Sequence, residues 1–317
     1  MPDPVVILKA AAAAAALAVG ILLLCGWPWR APHPVRTAAG GALAVGAGFF
    51  AGAWLLDLRF HFPPSEDQDR LLFVLAPAAV GVEIIAAALR RAAWMGWLLR
   101  LALAAVAARI ILHNSSYITD LAGPGSREWP VGQTWIILLG LAGALAAIWA
   151  LLSLLLARSS AWSVPATLAL VAACAGVTIM LSGYASGGQL GFPLAAALGG
   201  AAVASLVLGR NPDLRGVLGV GMVTLFALLL AGRFFGKLTT VNAALLFAAP
   251  LLGWLPELPY VRRLGPRTRG SMRVVLAAVP LLLALILANQ KSEADAASPS
   301  TPGSKETSIE DYLNFGK

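Results

Sequence analysis

The sequence predicts an all-α integral membrane protein, a polytopic bundle of about ten transmembrane helices, and three observations predict it. Of its 317 residues, 59% are hydrophobic and 12% are charged, the latter about half the share in an ordinary soluble domain. A soluble fold has no way to hide that much apolar surface. The apolar residues also come in runs of a length that crosses a bilayer, whose hydrocarbon core of about 30 Å needs about 20 helical residues at 1.5 Å each. Finally, proline, glycine and arginine collect between the runs, where helices end and lipid headgroups begin.

In chain order the runs fall at 5–26, 37–56, 70–89, 92–113, 134–157, 163–182, 190–208, 215–232, 238–254 and 272–288. In the first, Lys9 precedes an alanine- and leucine-rich stretch that resembles a secretory signal. Leu24 before Cys25 is too large for a lipoprotein cleavage box, however, and no Ala-x-Ala follows, so the segment reads as the first transmembrane helix. The breaks are Pro28 and Pro34, Pro63-Pro64, Pro124 and Pro130, Gly187-Gly188, Pro212, and Pro256 to Pro266. Gly48-x-x-x-Gly52 in the second run, and Gly140 and Gly143 in the fifth, are small residues of the kind that let helices approach closely. Cys25 and Cys174 lie inside apolar runs and read as small buried hydrophobes. Residues 1–288 thus form one transmembrane domain. From 289 to 317 the composition turns to Ser, Thr, Pro, Lys, Glu and Asp, which predicts a disordered polar tail; its stretch Ile309 to Phe315 reads first as an unstructured end and second as a docking peptide.

The formal charge of +8 has its place at the membrane surface. Arg30, Arg36, Arg90, Arg91, Arg158, Arg210, Arg215, Arg262, Arg263, Arg267, Arg269 and Arg273 fall in the odd-numbered connections, while Asp57, Glu66, Asp67, Asp69, Asp120 and Glu128 fall in the even ones. The positive-inside rule makes the odd connections cytoplasmic and puts both termini outside a plasma (cytoplasmic) membrane. The lipid bilayer is the partner this charge implies, and nucleic acid is not needed to explain it. Trp27, Trp29, Trp54, Trp94, Trp97, Trp135, Trp162 and Trp254 sit near run ends, as interfacial indoles do, whereas Trp149 falls mid-run with no reading of its own.

Within the apolar runs the informative charge is Glu83, which is expensive in lipid without a partner. The third and fourth runs meet at a tight turn near Arg90 and Arg91. In an antiparallel hairpin Glu83 then lies level with Arg100, about 10 to 14 Å below the turn. The two are the expected intramembrane ion pair, acting either as a lock on the hairpin or as a proton, cation or substrate site. A second candidate set lies toward the outer face: Asp57 and His61 four residues apart, Arg109 and His113 with the same spacing, then Asn114 and Asp120. Side chains four apart share a helix face, and two histidines with carboxylates offer metal or acid–base chemistry. Solvated interfacial charges explain the same residues without a metal, which stays unassigned.

The fourth connection, 115–133, is long enough for a lid or a subunit contact. The glycine-rich stretch 182–189 reads as a turn, and Asn242 with Thr239 and Thr240 as a helix cap. No P-loop, nucleophile elbow, His-Glu-x-x-His or Cys-x-x-Cys is present, so no cofactor is expected and an enzyme is not the first reading. Three readings follow: a small-solute transporter, ion-coupled through Glu83; a non-catalytic subunit or scaffold of a larger membrane complex, meeting partners through 115–133 or the tail; and a membrane-embedded enzyme with an outer-face site.

Overall fold

The computed structural model describes residues 3–26, 34–56, 58, 60–113, 115–118, 129–209, 212–258 and 265–297, and within them the regular structure is entirely helical. In chain order the helices are α1 (Pro4–Gly26), α2 (Pro34–Trp54), α3 (Asp67–Ala88), α4 (Ala93–Ile111), α5 (Val131–Arg158), α6 (Ser163–Leu181), α7 (Gly191–Leu208), α8 (Arg215–Phe234), α9 (Thr240–Ala248) and α10 (Pro266–Ala297). Among the described residues, nine helices are long and apolar enough to cross a membrane; α9 is the exception.

The predicted run at 238–254 is therefore corrected. Its α-helix stops at Ala248 and the chain continues as a 3₁₀ helix from Ala249 to Glu257. Pro250 and Pro256 supply the reason, since neither has an N–H to give to the carbonyl four residues back. The broken segment still joins the two ends of the bundle. Arg233, at the end of α8, donates from Nε to Thr240 Oγ1 at 2.9 Å, while at the other end Glu257 is paired with Arg273 near the start of α10. The first residues of α1 and the last of α10 consequently lie at the same end of the bundle.

The two ends differ in charge. One, here the arginine end, gathers Arg158, Arg215, Arg267 and Arg269; the other, the carboxylate end, holds Asp67 and Asp69 together with Arg70, Arg233 and Lys291. At the centre stands α8, in which every residue from Gly216 to Gly232 is buried. The peripheral helices turn long apolar side chains outward: Leu8 is 70% exposed, Leu24 78% and Ile136 73%. Apolar surface on that scale is consistent with a multi-pass membrane protein.

Small residues set the closest approaches. In α1, Ala10, Ala14 and Ala18 recur every fourth position and are fully buried. A Cβ on Gly48 would stand 2.6 Å from the Ala14 carbonyl oxygen, and one on Gly52 2.9 Å from that of Ala10, so this glycine pair brings α2 onto the α1 backbone. Gly140 and Gly143 do not act this way, because a Cβ there would meet nothing within 4 Å.

Helix α3 carries a wide π turn at Leu71–Leu75, just before Pro77. Proline would collide with the Phe73 carbonyl in a regular helix, and the extra residue in the turn relieves that contact. At the other limit of the chain, α10 continues to Ala297, nine residues into the stretch assigned by composition to the tail. The stretch at 309–315 lies outside the described residues.

Candidate functional site

Glu83 and Arg100 meet as a bidentate pair, Arg100 Nε to Glu83 Oε1 at 2.7 Å and Nη2 to Oε2 at 2.7 Å. The tight turn from Leu89 to Ala92 makes α3 and α4 antiparallel neighbours, and Gly96 lets α4 pack against Ala86. The pair is also pressed against the central helix. A Cβ on Gly219 would come within 2.3 Å of Glu83 Oε1, so only glycine at this point of α8 leaves room for the carboxylate. Two indoles complete the setting: the Arg100 guanidinium carbon lies 5.2 Å from the Trp97 ring centre and 5.8 Å from that of Trp149. Cation–π attraction strengthens as water is excluded, which gives Trp149, 1% exposed, its role. A cleft of about 100 Å³, room for a few water molecules, reaches the pair from the arginine end between Ala38, Gly96, Asp213 and Arg215.

The carboxylate end is built around the first turn of α3, where Asp67, Gln68, Asp69 and Arg70 are all buried. Asp69 accepts from the backbone N–H groups of His61 at 3.1 Å, Ser65 at 3.3 Å and Glu66 at 3.2 Å, so it caps the helix and ties down the chain before it. Arg70 reaches sideways to the Ile111 and His113 carbonyls, neutralising the free carbonyls at the end of α4. Tyr184, between α6 and α7, donates to the Asp67 carboxylate at 2.7 Å and accepts from Gln68 Nε2 at 2.9 Å. Burial, and then the neighbouring Asp67 charge, push the Tyr184 hydroxyl well above the ordinary tyrosine range, so it stays a donor. Replacing Tyr184 with phenylalanine is expected to cost about 2 kcal/mol, the worth of a hydrogen bond to a charged group. The check is the denaturation midpoint of the purified protein in detergent.

Of the predicted outer-face set, His61, Arg109 and His113 are among the described residues. His61 has its side chain 57% exposed and 3.8 Å from Asp69 Oδ2, and His113 contributes its carbonyl to Arg70 and is itself exposed. Arg109 has one buried guanidinium nitrogen without a hydrogen-bond partner. Asp57, Asn114 and Asp120 lie outside the described residues. Among those that are described, no three His, Cys, Asp or Glu side chains group as a metal site would require. Asn242 and Thr239 do form a cap, Thr239 Oγ1 accepting from the Asn242 N–H at 3.2 Å.

Two features escaped the sequence reading. One is Arg273, 1% exposed, which sits against Glu257 and donates to Ser163 Oγ at 3.0 Å and to the Gly253 carbonyl at 3.2 Å. Its position one residue inside a predicted run was the available signal. The other is an apolar groove of about 430 Å³ between α5 and α9, floored by α8, with Ile137, Leu141, Phe226, Leu230 and Phe247 on its walls and Arg233 as the charged residue of its lining. Toward the arginine end the groove is closed where Gly253 meets Leu155. No known family, curated protein or solved structure matches the chain.

Proposed function

We propose that this is a multi-pass protein of the cytoplasmic membrane, with its arginine end inside and both termini outside, that binds an anionic amphiphile in the groove between α5 and α9. The groove carries this reading. Its walls are apolar along roughly the outer half of the bundle, the shape an acyl chain fills, and lipid-facing helices gain nothing by leaving such a space empty. Arg233 is the charged residue of the lining, fixed by its bond to Thr240 and by the Phe234 ring 5.6 Å away. A guanidinium held there suits a carboxylate or phosphate headgroup.

This is the transporter reading in a different form, with an apolar-tailed cargo in place of an ion-coupled one. Both oxygens of Glu83 are taken by Arg100, which supports a structural duty for that pair. The experiment is a titration of the purified full chain in neutral detergent with parinaric acid, read by energy transfer from tryptophan, Trp129 being a groove residue. Saturable binding is expected, weakened at least about tenfold by Ala244→Trp, which fills the groove. Arg233→Gln is expected to weaken the acid several-fold and leave parinaryl alcohol unchanged. Equal, non-saturating uptake by the wild type and Ala244→Trp would sink the proposal and favour the complex-subunit reading.

A further inference from the structure

We infer that the arginine end holds a second, separate site, for a phosphate-type anion, in the cleft where α5, α7 and α10 converge. The cleft measures about 420 Å³ and is lined by Arg158, Ser159, Ser160, Trp162, Arg267 and Arg269, with the end of α7 at Ser205 and Gly209 as its far wall. Arginines at a cytoplasmic interface are common as topology signals, and topology alone does not ask them to converge. Here three guanidiniums from two separate stretches of chain face one space.

Three observations point to an anionic ligand. Charge is the first. The carboxylate in contact with this set is Glu257, which lies 3.6 Å from Arg269 and is also paired with Arg273. Arg158 and Arg267 add two more positive charges at the cleft, so the group carries a clear positive excess. The second is unspent hydrogen-bonding capacity: Ser160 Oγ and Arg269 Nε are both buried without a hydrogen-bond partner. Such atoms cost stability unless something accepts from them; both belong to residues that line the cleft, and a side-chain rotation brings them to its surface. The third is how tightly the walls are held. A Cβ on Gly270 would come within 2.5 Å of the Trp162 ring and 3.1 Å of Ser160 Oγ, so glycine here lets α10 carry Arg267 and Arg269 right up to the serines. Next to the serines, the Arg158 guanidinium lies 5.5 Å from the Trp254 ring centre. Arg158, held by the Trp254 ring, and Arg269, held by Glu257, with the exposed Arg267 beside them, match the several acceptor oxygens of a phosphate.

The phosphate has two possible sources, an anionic lipid headgroup and a soluble phosphorylated solute, and the same experiment separates them. Full-length protein in neutral detergent is titrated, under native mass spectrometry, with dioleoylphosphatidylglycerol, with dioleoylphosphatidylcholine and with inorganic pyrophosphate. The variants are Arg158→Gln/Arg267→Gln and Ser160→Ala. One phosphatidylglycerol retained about tenfold more tightly than phosphatidylcholine, and lost in the double variant, identifies the site with a lipid source. Pyrophosphate bound at one site and lost in the double variant, with the two lipids retained equally, identifies it with a soluble source. Ser160→Ala keeps every charge and is expected to weaken whichever anion binds by several-fold. The inference is overturned if the wild type neither prefers phosphatidylglycerol nor binds pyrophosphate, or if binding is the same in the double variant. Should the double variant not fold, unchanged binding in Ser160→Ala overturns it alone.

Discussion

Replacing Arg100 with leucine is expected to destabilise the protein by about 3–5 kcal/mol, because it leaves the buried Glu83 carboxylate without its bonded partner, reached from the arginine end by one small cleft. Glu83→Leu alone is expected to cost a similar amount. The informative variant is the double one. Removing both charges together eliminates the buried-ion penalty along with the attraction, and buried pairs replaced by apolar residues of like volume are often neutral. Glu83→Leu/Arg100→Leu should therefore recover most of the loss, giving a coupling energy of several kcal/mol in the mutant cycle. Denaturant midpoints of the four proteins in detergent measure it. Additive single costs would mean that the two side chains act independently, contrary to the 2.7 Å contacts between them.

Arg273→Leu is the second large effect, again about 3–5 kcal/mol by the same argument, with a different spatial signature. Arg273 holds Glu257, Ser163 and the Gly253 carbonyl at once. Without it the 3₁₀ segment Ala249–Glu257 loses its buried contacts with α10 and keeps the Arg269–Glu257 pair. Amide hydrogen exchange should accelerate across 249–257 well before it does in α8, whose residues from Gly216 to Gly232 are buried in the centre of the bundle. Uniform acceleration along the chain would show that Arg273 supports the whole fold and not this element.

The comparison of sequence with structure divides along physical lines. Helix positions were legible because crossing a bilayer constrains run length, and nine helices satisfy that constraint among the described residues. The level match of Glu83 and Arg100 was legible because the turn between α3 and α4 is short, so counting residues on either side measures depth. Contacts between distant stretches were not. Nothing local to Trp149 indicates that α5 will present it to Arg100, and nothing local to Tyr184 indicates that it will meet Asp67, since both depend on the rotation of one helix against another. The acids at the start of α3 looked like an ordinary solvated loop; their burial comes from packing against α4 and Tyr184. The ninth run is apolar enough to read as a crossing, but Pro250 within it and Pro256 just beyond it lack the N–H groups of a regular helix, and that decides the geometry there.

That broken crossing runs alongside α10, fastened to it near both limits: Arg273 to Gly253 at one, Lys291 Nζ to the Lys237 carbonyl at the other. From Arg273 to Lys291 a helix rises about 27 Å at 1.5 Å per residue. From Lys237 to Gly253 fewer residues cover a comparable length, and a 3₁₀ stretch, rising about 2.0 Å per residue, makes up the difference. The rod α10 therefore acts as a ruler for its neighbour, which is already drawn out. Pro250 and Pro256 keep the 3₁₀ turns from winding back to α, so the length of this segment is set from two sides, by the rod beside it and by its own prolines.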